Sequence, residues 1–306
     1  MCHRGPVSLL DDPWTEPTLQ ALSSITDDAA NSGRIAVFDF DGTIIDTDIT
    51  ETVASTAWRT GDLDTEPFWW ALGLQTAADG PQRQREAFET YLQIADSDTV
   101  DGYPFGHQAS SSLLAQAFAG KSVGQVIRST RAVLSPGEGV RVRPAIIELL
   151  RALLSSGIQV RVVSAGLSWC VRTALHEIVN PLLQDCGVVE PECVTGITPL
   201  MRVGQGWLTD RQMLAGPRAS AYGACEDADL DDVISTAAIT GPYTFGGGKV
   251  GAWREAFGEE VPVLMVGDGA GDGPLMREAD HALWIRTDAR QPRPAAIPES
   301  ALVLDA

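Results

Sequence analysis

Two short apolar runs, each stopped by an acid, constrain this chain more than any other feature. They are Arg34-Ile35-Ala36-Val37-Phe38-Asp39 and Val261-Pro262-Val263-Leu264-Met265-Val266-Gly267-Asp268. A strand with one wet face alternates apolar and polar residues. A run without alternation predicts a strand covered on both faces, as in a parallel sheet flanked by helices. Gln159–Ser164 and Ala282–Ile285 read the same way. Helical patterns separate these runs. Pro144 opens a helix over Ala145–Ser155 that ends at Gly157, and Leu167–Leu183 and Val250–Phe257 follow. Strands alternating with helices define an α/β chain with a doubly wound parallel sheet. In such sheets ligands bind at the carboxyl ends of the strands. Three of those ends here carry polar groups: Asp39 with Asp41, Ser164, and Asp268.

Residues 49–135 have a different texture. Helical periodicity is expected at Thr50–Trp58, Gln82–Ala95, Ser110–Ala119 and Val123–Leu134, with breaks at Asp79-Gly80-Pro81 and Gly102-Tyr103-Pro104. This predicts a helical domain inserted into a core formed by residues 34–48 and 136–290. Residues 1–33 read as a loosely attached polar lead-in. Residues 193–209 read as strands turning at Gly204-Gln205-Gly206. The acidic stretch 210–236 has no clear element, and its run 226–232 reads as a solvated face. The Pro-rich tail 291–306 is expected to cover the surface. No internal repeat is present.

Composition removes several function classes. With 306 residues, 44% apolar and 21% charged, the chain can bury a sizeable core. It lacks an uncharged apolar stretch long enough to span a membrane. A net charge of −19 argues against nucleic acid and anionic membranes as partners. The five cysteines show no zinc-type spacing, so reduced thiols are expected, and the N-terminus lacks the apolar run of a signal peptide; both point to the cytoplasm. Oligomeric state is not legible from the sequence.

The chemistry lies at the strand ends. Asp39, Asp41, Asp268 and Asp272 would converge at one edge of the sheet. Four carboxylates cannot stay ionised together without a cation, and oxygen-only ligation points to Mg²⁺, which recruits phosphate. Ser164, with the backbone of Ala165 and Gly166 at an expected helix start, offers donors for a phosphate oxygen, and Thr43 could do the same. Lys249 follows three glycines on what reads as a flexible approach. It is one of two lysines against 20 arginines. Taken singly, each residue has a bland alternative: an N-cap or turn for the acids and Ser164, solvated surface for Lys249. P-loop, dinucleotide-binding and EF-hand spacings all fail against the sequence.

As a set, Asp39-Phe40-Asp41-Gly42-Thr43, Ser164-Ala165-Gly166, Lys249 and Gly267-Asp268-Gly269-Ala270-Gly271-Asp272 resemble the motifs of the haloacid dehalogenase superfamily, in that family's order. The resemblance spans residues 34–286. It favours the phosphoserine-phosphatase-like branch with a helical C1-type cap on a Rossmann-like core. It implies a Mg²⁺-dependent phosphatase acting on a small phosphorylated metabolite. Asp39 would be the nucleophile that forms an aspartyl-phosphate, and Asp41 the general acid and then base. Asp39, the backbone carbonyl of Asp41, and Asp268 would hold Mg²⁺, with Asp272 supporting them. Thr43, Ser164, Ala165, Gly166 and Lys249 would bind the phosphoryl group. Gly271 stands where the branch often has Asn. The same catalytic set would serve a phosphomutase or phosphotransferase, and a non-catalytic binding protein could inherit the fold.

Two readings of the cap stay open. Asp48, nine residues after Asp39, is either an N-cap or a contact for a substrate's cationic group. Trp58, Phe68, Trp69, Trp70, Tyr103 and Phe105 are either cap core or, for one or two such as Trp58, part of the substrate pocket. An acidic protein repels an anionic substrate unless the substrate carries its own positive charge, so an amino-bearing phosphate ester is expected.

Overall fold

In the computed structural model, which describes residues 14–63, 66, 69, 80–97, 106–135, 137, 139–287, 290 and 292–305, the first apolar run is strand β1 (Ile35–Phe38), with all four residues buried. The lack of alternation has a simple cause. Ala36 and Phe38 pack into one hydrophobic cluster, while Ile35 and Val37 pack into a second with Trp253, Met265 and Trp284. The strand is therefore apolar on both faces.

β1 pairs in parallel with β2 (Gln159–Leu167) on one side and β6 (Leu264–Gly267) on the other. Beyond β6 the parallel sheet continues through β7 (His281–Arg286) to β8 (Leu302–Asp305). Beyond β2 lies β3 (Val194–Val203). Its second half leaves the parallel register and pairs antiparallel with β4 (Gly206–Leu208) and β5 (Val233–Thr240). The strand order β4-β3-β2-β1-β6-β7-β8, with β5 also on β3, is that of a doubly wound α/β sheet with an antiparallel extension.

The structure revises the sequence reading at several places. The stretch 210–236 contains helix residues Asp210–Ala215 and the start of β5. Its acids are paired rather than simply solvated: Asp227 and Asp231 with Arg128, Asp227 with Arg131, and Asp232 with Arg218. The tail does more than cover the surface, because Ala301-Leu302-Val303-Leu304-Asp305 is another short apolar run ended by an acid and supplies β8. Nor is the described part of the lead-in loose. Helix α1 (Glu16–Asp27) buries Leu22 and Ile25, and Thr18 donates to the Val303 carbonyl at 3.1 Å.

β1 is followed by α2 (Ile49–Thr60), α3 (Gly80–Asp96), α4 (Gly106–Ala117) and α5 (Val123–Val133). Helix α5 sits close against the core: a Cβ at Gly124 would lie 2.6 Å from an Asp231 carboxylate oxygen. Helix α6 (Pro144–Ser155) starts at its proline as expected. After β2, helix α7 (Ser168–Ala174) gives way to a π-helical turn at Leu175–Val179, so the expected single helix to Leu183 is interrupted. Helix α8 (Gly247–Phe257) begins within the glycine run. Phe68, Trp70, Tyr103, Phe105 and Cys2 lie outside the described residues. The four described cysteines form no disulfide. Among the described residues no helix is long and apolar enough to cross a membrane.

Candidate active site

The carboxyl ends of β1 and β6 meet because the Asp39 amide continues the pairing, donating to the Val266 carbonyl at 2.9 Å. This sets Asp39 beside the loop that follows β6. Oxygens of Asp39, Asp268 and Asp272 all lie within 4.8 Å of one another. The loops touch at Gly42. Its φ is +70°, and a Cβ there would lie 2.7 Å from the Asp268 carboxylate carbon, so both the turn and the approach require glycine. Arg143, at the start of α6, holds this turn from outside by donating from Nε to the Gly42 carbonyl at 3.0 Å. The sequence marked only Pro144 there, as a helix start.

Lys249 is the buried cation of the group. It lies in the first turn of α8 rather than on a flexible approach, and its Nζ donates to Asp39 Oδ1 and Asp272 Oδ1, each at 2.6 Å. Burial alone would lower its pKa, but the facing Asp272 and Asp39 carboxylates hold it above the ordinary lysine value. The other oxygen of Asp272 accepts the amides of Asp268 and Gly269 at 3.1 and 3.0 Å. Asp272 thus folds its own loop and anchors Lys249. Thr43 is fully buried and donates to Asp39 Oδ2 at 3.4 Å.

Asp41 stands two residues beyond Asp39 with both oxygens engaged. Oδ1 accepts the Ile49 amide, the first of α2, at 2.8 Å, and Oδ2 accepts the Ser164 hydroxyl at 3.0 Å. Burial pushes its pKa well up, with the charges of Asp48 and Asp39 adding to the effect. Ser164 Oγ also accepts the Gly166 amide at 2.8 Å. The expected helix start at Ala165-Gly166 is instead the irregular end of β2, whose register shifts between Val163 and Leu167. The Gly166 amide therefore bonds within its own loop. Thr50, on α2, closes that loop by accepting the Leu167 amide at 2.9 Å. Nothing in the sequence singled out Thr50, because its partner is 117 residues away.

Asp48 is the N-cap of α2 and accepts the Glu51 amide at 2.7 Å. It is exposed, and its charge reaches Asp41. Glu51, which sequence reasoning passed over, accepts the Tyr91 hydroxyl of α3 at 3.3 Å. Burial raises the Tyr91 pKa, with Asp48 and Glu51 next. Asp48, Glu51 and the Tyr91 phenol thus gather between α2 and α3, with Asp48 acting on Asp41. Trp58 is 2% exposed and tilts against Phe88 and Tyr91, with ring centroids 5.7 and 6.4 Å away, so its ring packs between α2 and α3. Trp69 is buried too.

The donor set fits a hard cation. Burial pushes Asp39 up to about 7 against the opposing Lys249 charge, with Asp272 adding to the rise. Asp268 is raised by burial, then by Asp39 and Asp272. One ammonium does not offset three facing carboxylates, and a divalent ion on Asp39 and Asp268 would.

An α/β sheet with this carboxylate–lysine centre at its carboxyl edge defines a hydrolase class, and comparison with known proteins agrees. The profile of the haloacid dehalogenase-like hydrolases matches residues 36–185. It is 25% identical over 305 aligned residues to the phosphorylcholine phosphatase of Pseudomonas aeruginosa, covering 90% of this chain and 81% of that protein. Among solved structures, a conserved functionally unknown protein from Anaerococcus prevotii superposes with a TM-score of 0.58 at 14% identity, covering 94% of this chain and 90% of the other. A protein of unknown function from Bordetella pertussis superposes at 0.54 with 16% identity, covering 84% and 91%. These two share the fold.

Proposed function

We propose that this hydrolase is a Mg²⁺-dependent phosphatase that cleaves a small phosphomonoester bearing an ammonium group through an aspartyl-phosphate on Asp39. The observation that carries the reading is the meeting of Asp39, Asp268, Asp272 and Lys249 at one point, with Asp41 held separately two residues away. A nucleophile needs a neighbouring cation to receive an anionic substrate. A general acid needs a site of its own with a raised pKa.

Asp39 attacks phosphorus as the bond to the leaving oxygen breaks, and Asp41 gives that oxygen its proton. The alcohol departs. Asp41, now ionised, takes a proton from water whose oxygen attacks the phosphorus. The bond to Asp39 breaks, phosphate leaves, and both carboxyl groups return to their starting states. Lys249 orients the phosphoryl oxygens, Ser164 holds Asp41, and Thr43 orients Asp39. Mg²⁺, held by Asp39, Asp268 and the Asp41 carbonyl, would offset the charge of the transferring group.

The substrate class follows from charge. The protein carries −19, Asp48 adds a carboxylate whose charge reaches Asp41, and Glu51 lies one helical turn further along α2. An ammonium on the leaving alcohol would ease both conflicts. The similarity to a protein named phosphorylcholine phosphatase supports this choice. The test is phosphate release from phosphocholine, phosphoethanolamine and phosphoserine against sugar phosphates, with Mg²⁺ and with chelator. Amino-bearing esters should win, release should stop with chelator, and Asp48→Asn with Glu51→Gln should narrow the preference. Release that persists in chelator rejects the metal. Equal turnover of sugar phosphates in all variants rejects the cationic substrate.

A further inference from the structure

The segment between β5 and α8 touches both the cap and the catalytic lysine. At its start, Tyr243 is half-buried just beyond β5, which packs against helix α4, and Ser111 and Ser112 of that helix act on its hydroxyl. At its end, Tyr243 presses directly on the residue before Lys249. A Cβ at Gly248 would lie 2.8 Å from the Tyr243 carbonyl carbon, so no larger residue fits without moving the chain. The turn between them is tied by the Gly248 amide to Phe245 O and the Lys249 amide to Gly246 O, each at 3.0 Å, and Gly246 has φ +57°. Midway, Phe245 covers Gly271. A Cβ there would lie 2.9 Å from the ring, and the next residue is Asp272, the second anchor of Lys249. The aromatic ring occupies the space that a side chain at Gly271 would fill.

One tight segment therefore contacts cap helix α4, the backbone before Lys249 and the loop of Asp272. Close-packed elements joined at both ends move together, because interiors deform little. We propose that residues 243–248 form a strap that transmits the position of the cap to Lys249, with Tyr243 as its positioning residue. This rests on the reading of Lys249 as the phosphoryl-orienting cation. When the cap settles over a substrate, Ser111 and Ser112 hold Tyr243. The Tyr243 carbonyl then fixes the first turn of α8, and Lys249 is set between Asp39 and Asp272. A displaced cap releases that turn.

The test removes the bond from each side in the full-length protein: Tyr243→Phe, Ser111→Ala with Ser112→Ala, and all three together. Amide hydrogen exchange is read across Gly247–Phe257, and kcat and KM for phosphocholine are measured with Mg²⁺. Either variant should speed exchange in the first turn of α8. Either should also lower kcat more than it raises KM, by about tenfold, the size expected for one lost hydrogen bond. The combined variant should be no worse than either parent, since the same link is already cut. Unchanged exchange in α8 overturns the strap, as do losses that simply add. If the wild type releases no phosphate from any ester, the phosphatase reading fails, while the exchange experiment still decides the strap.

Discussion

Gly42→Ala, compared with Gly33→Ala, measures what the contact between the Asp39–Thr43 turn and Asp268 contributes. Both glycines have left-handed backbone, φ +70° and +86°. Alanine in that region costs about 1–2 kcal/mol in strain. At Gly33 nothing lies within 4 Å of the new Cβ, so strain is the whole effect. At Gly42 the new methyl overlaps the Asp268 carboxylate, whose carbon would be 2.7 Å away. That carboxylate cannot stay in place, and overpacking adds about 1–3 kcal/mol. Melting temperature should fall by about 2–4 °C per kcal/mol. Gly33→Ala should lose only the strain increment and keep its activity and Mg²⁺ requirement. Gly42→Ala should lose more, and a Mg²⁺ titration of phosphate release should show about 10–100-fold weaker metal use, the range for disturbing the support of a metal ligand. A Gly42→Ala protein with the Mg²⁺ requirement of Gly33→Ala would refute the placement of Asp268 at the metal.

Three further outcomes are expected. Asp39→Asn should fold, by circular dichroism and melting, yet release no phosphate, since the amide keeps the shape without the nucleophile. Lys249→Arg should lower kcat by about 100-fold or more, because a planar fork cannot replace an ammonium held at 2.6 Å by two buried carboxylates. Asp210 accepts a bidentate pair from the buried Arg172 at 2.6 Å and the Tyr222 hydroxyl at 2.5 Å. Burial opposes its ionised form, but Arg172 and Tyr222 win and hold its pKa below the model-compound value of 3.8. A folded pKa below the unfolded one stabilises the fold above that value and loses the contribution as pH falls through the folded pKa. Melting temperature should therefore drop below about pH 4 in wild type. Asp210→Asn should start lower at neutral pH and show a shallower acid drop, and parallel curves would exclude the pair as a source of acid sensitivity.

What the sequence determined by itself was local. Apolar runs without alternation specified buried strands, because a strand between two hydrophobic clusters must be apolar on both faces. Acids at the ends of β1 and β6 specified the edge of the sheet where the carboxylates gather, and the motifs Asp39–Thr43 and Ser164–Gly166 fall within the matched profile. Elements whose partners are distant in sequence were not legible. β5 carries β-branched residues and a partial alternation, but its pairing with β3 and the acidic stretch before it hid the strand. Asp227 and Asp231 looked like solvated charge because Arg128 lies 99 and 103 residues away. Tertiary structure alone placed Lys249 in the first turn of α8 between two carboxylates, joined the Gly166 amide to Ser164, brought Thr50 to the Leu167 amide and Arg143 to Gly42, and paired Glu51 with Tyr91. Sequence periodicity reports which face of an element is dry. Which polar groups meet across the loops depends on where separate elements pack, and only the folded chain sets that distance.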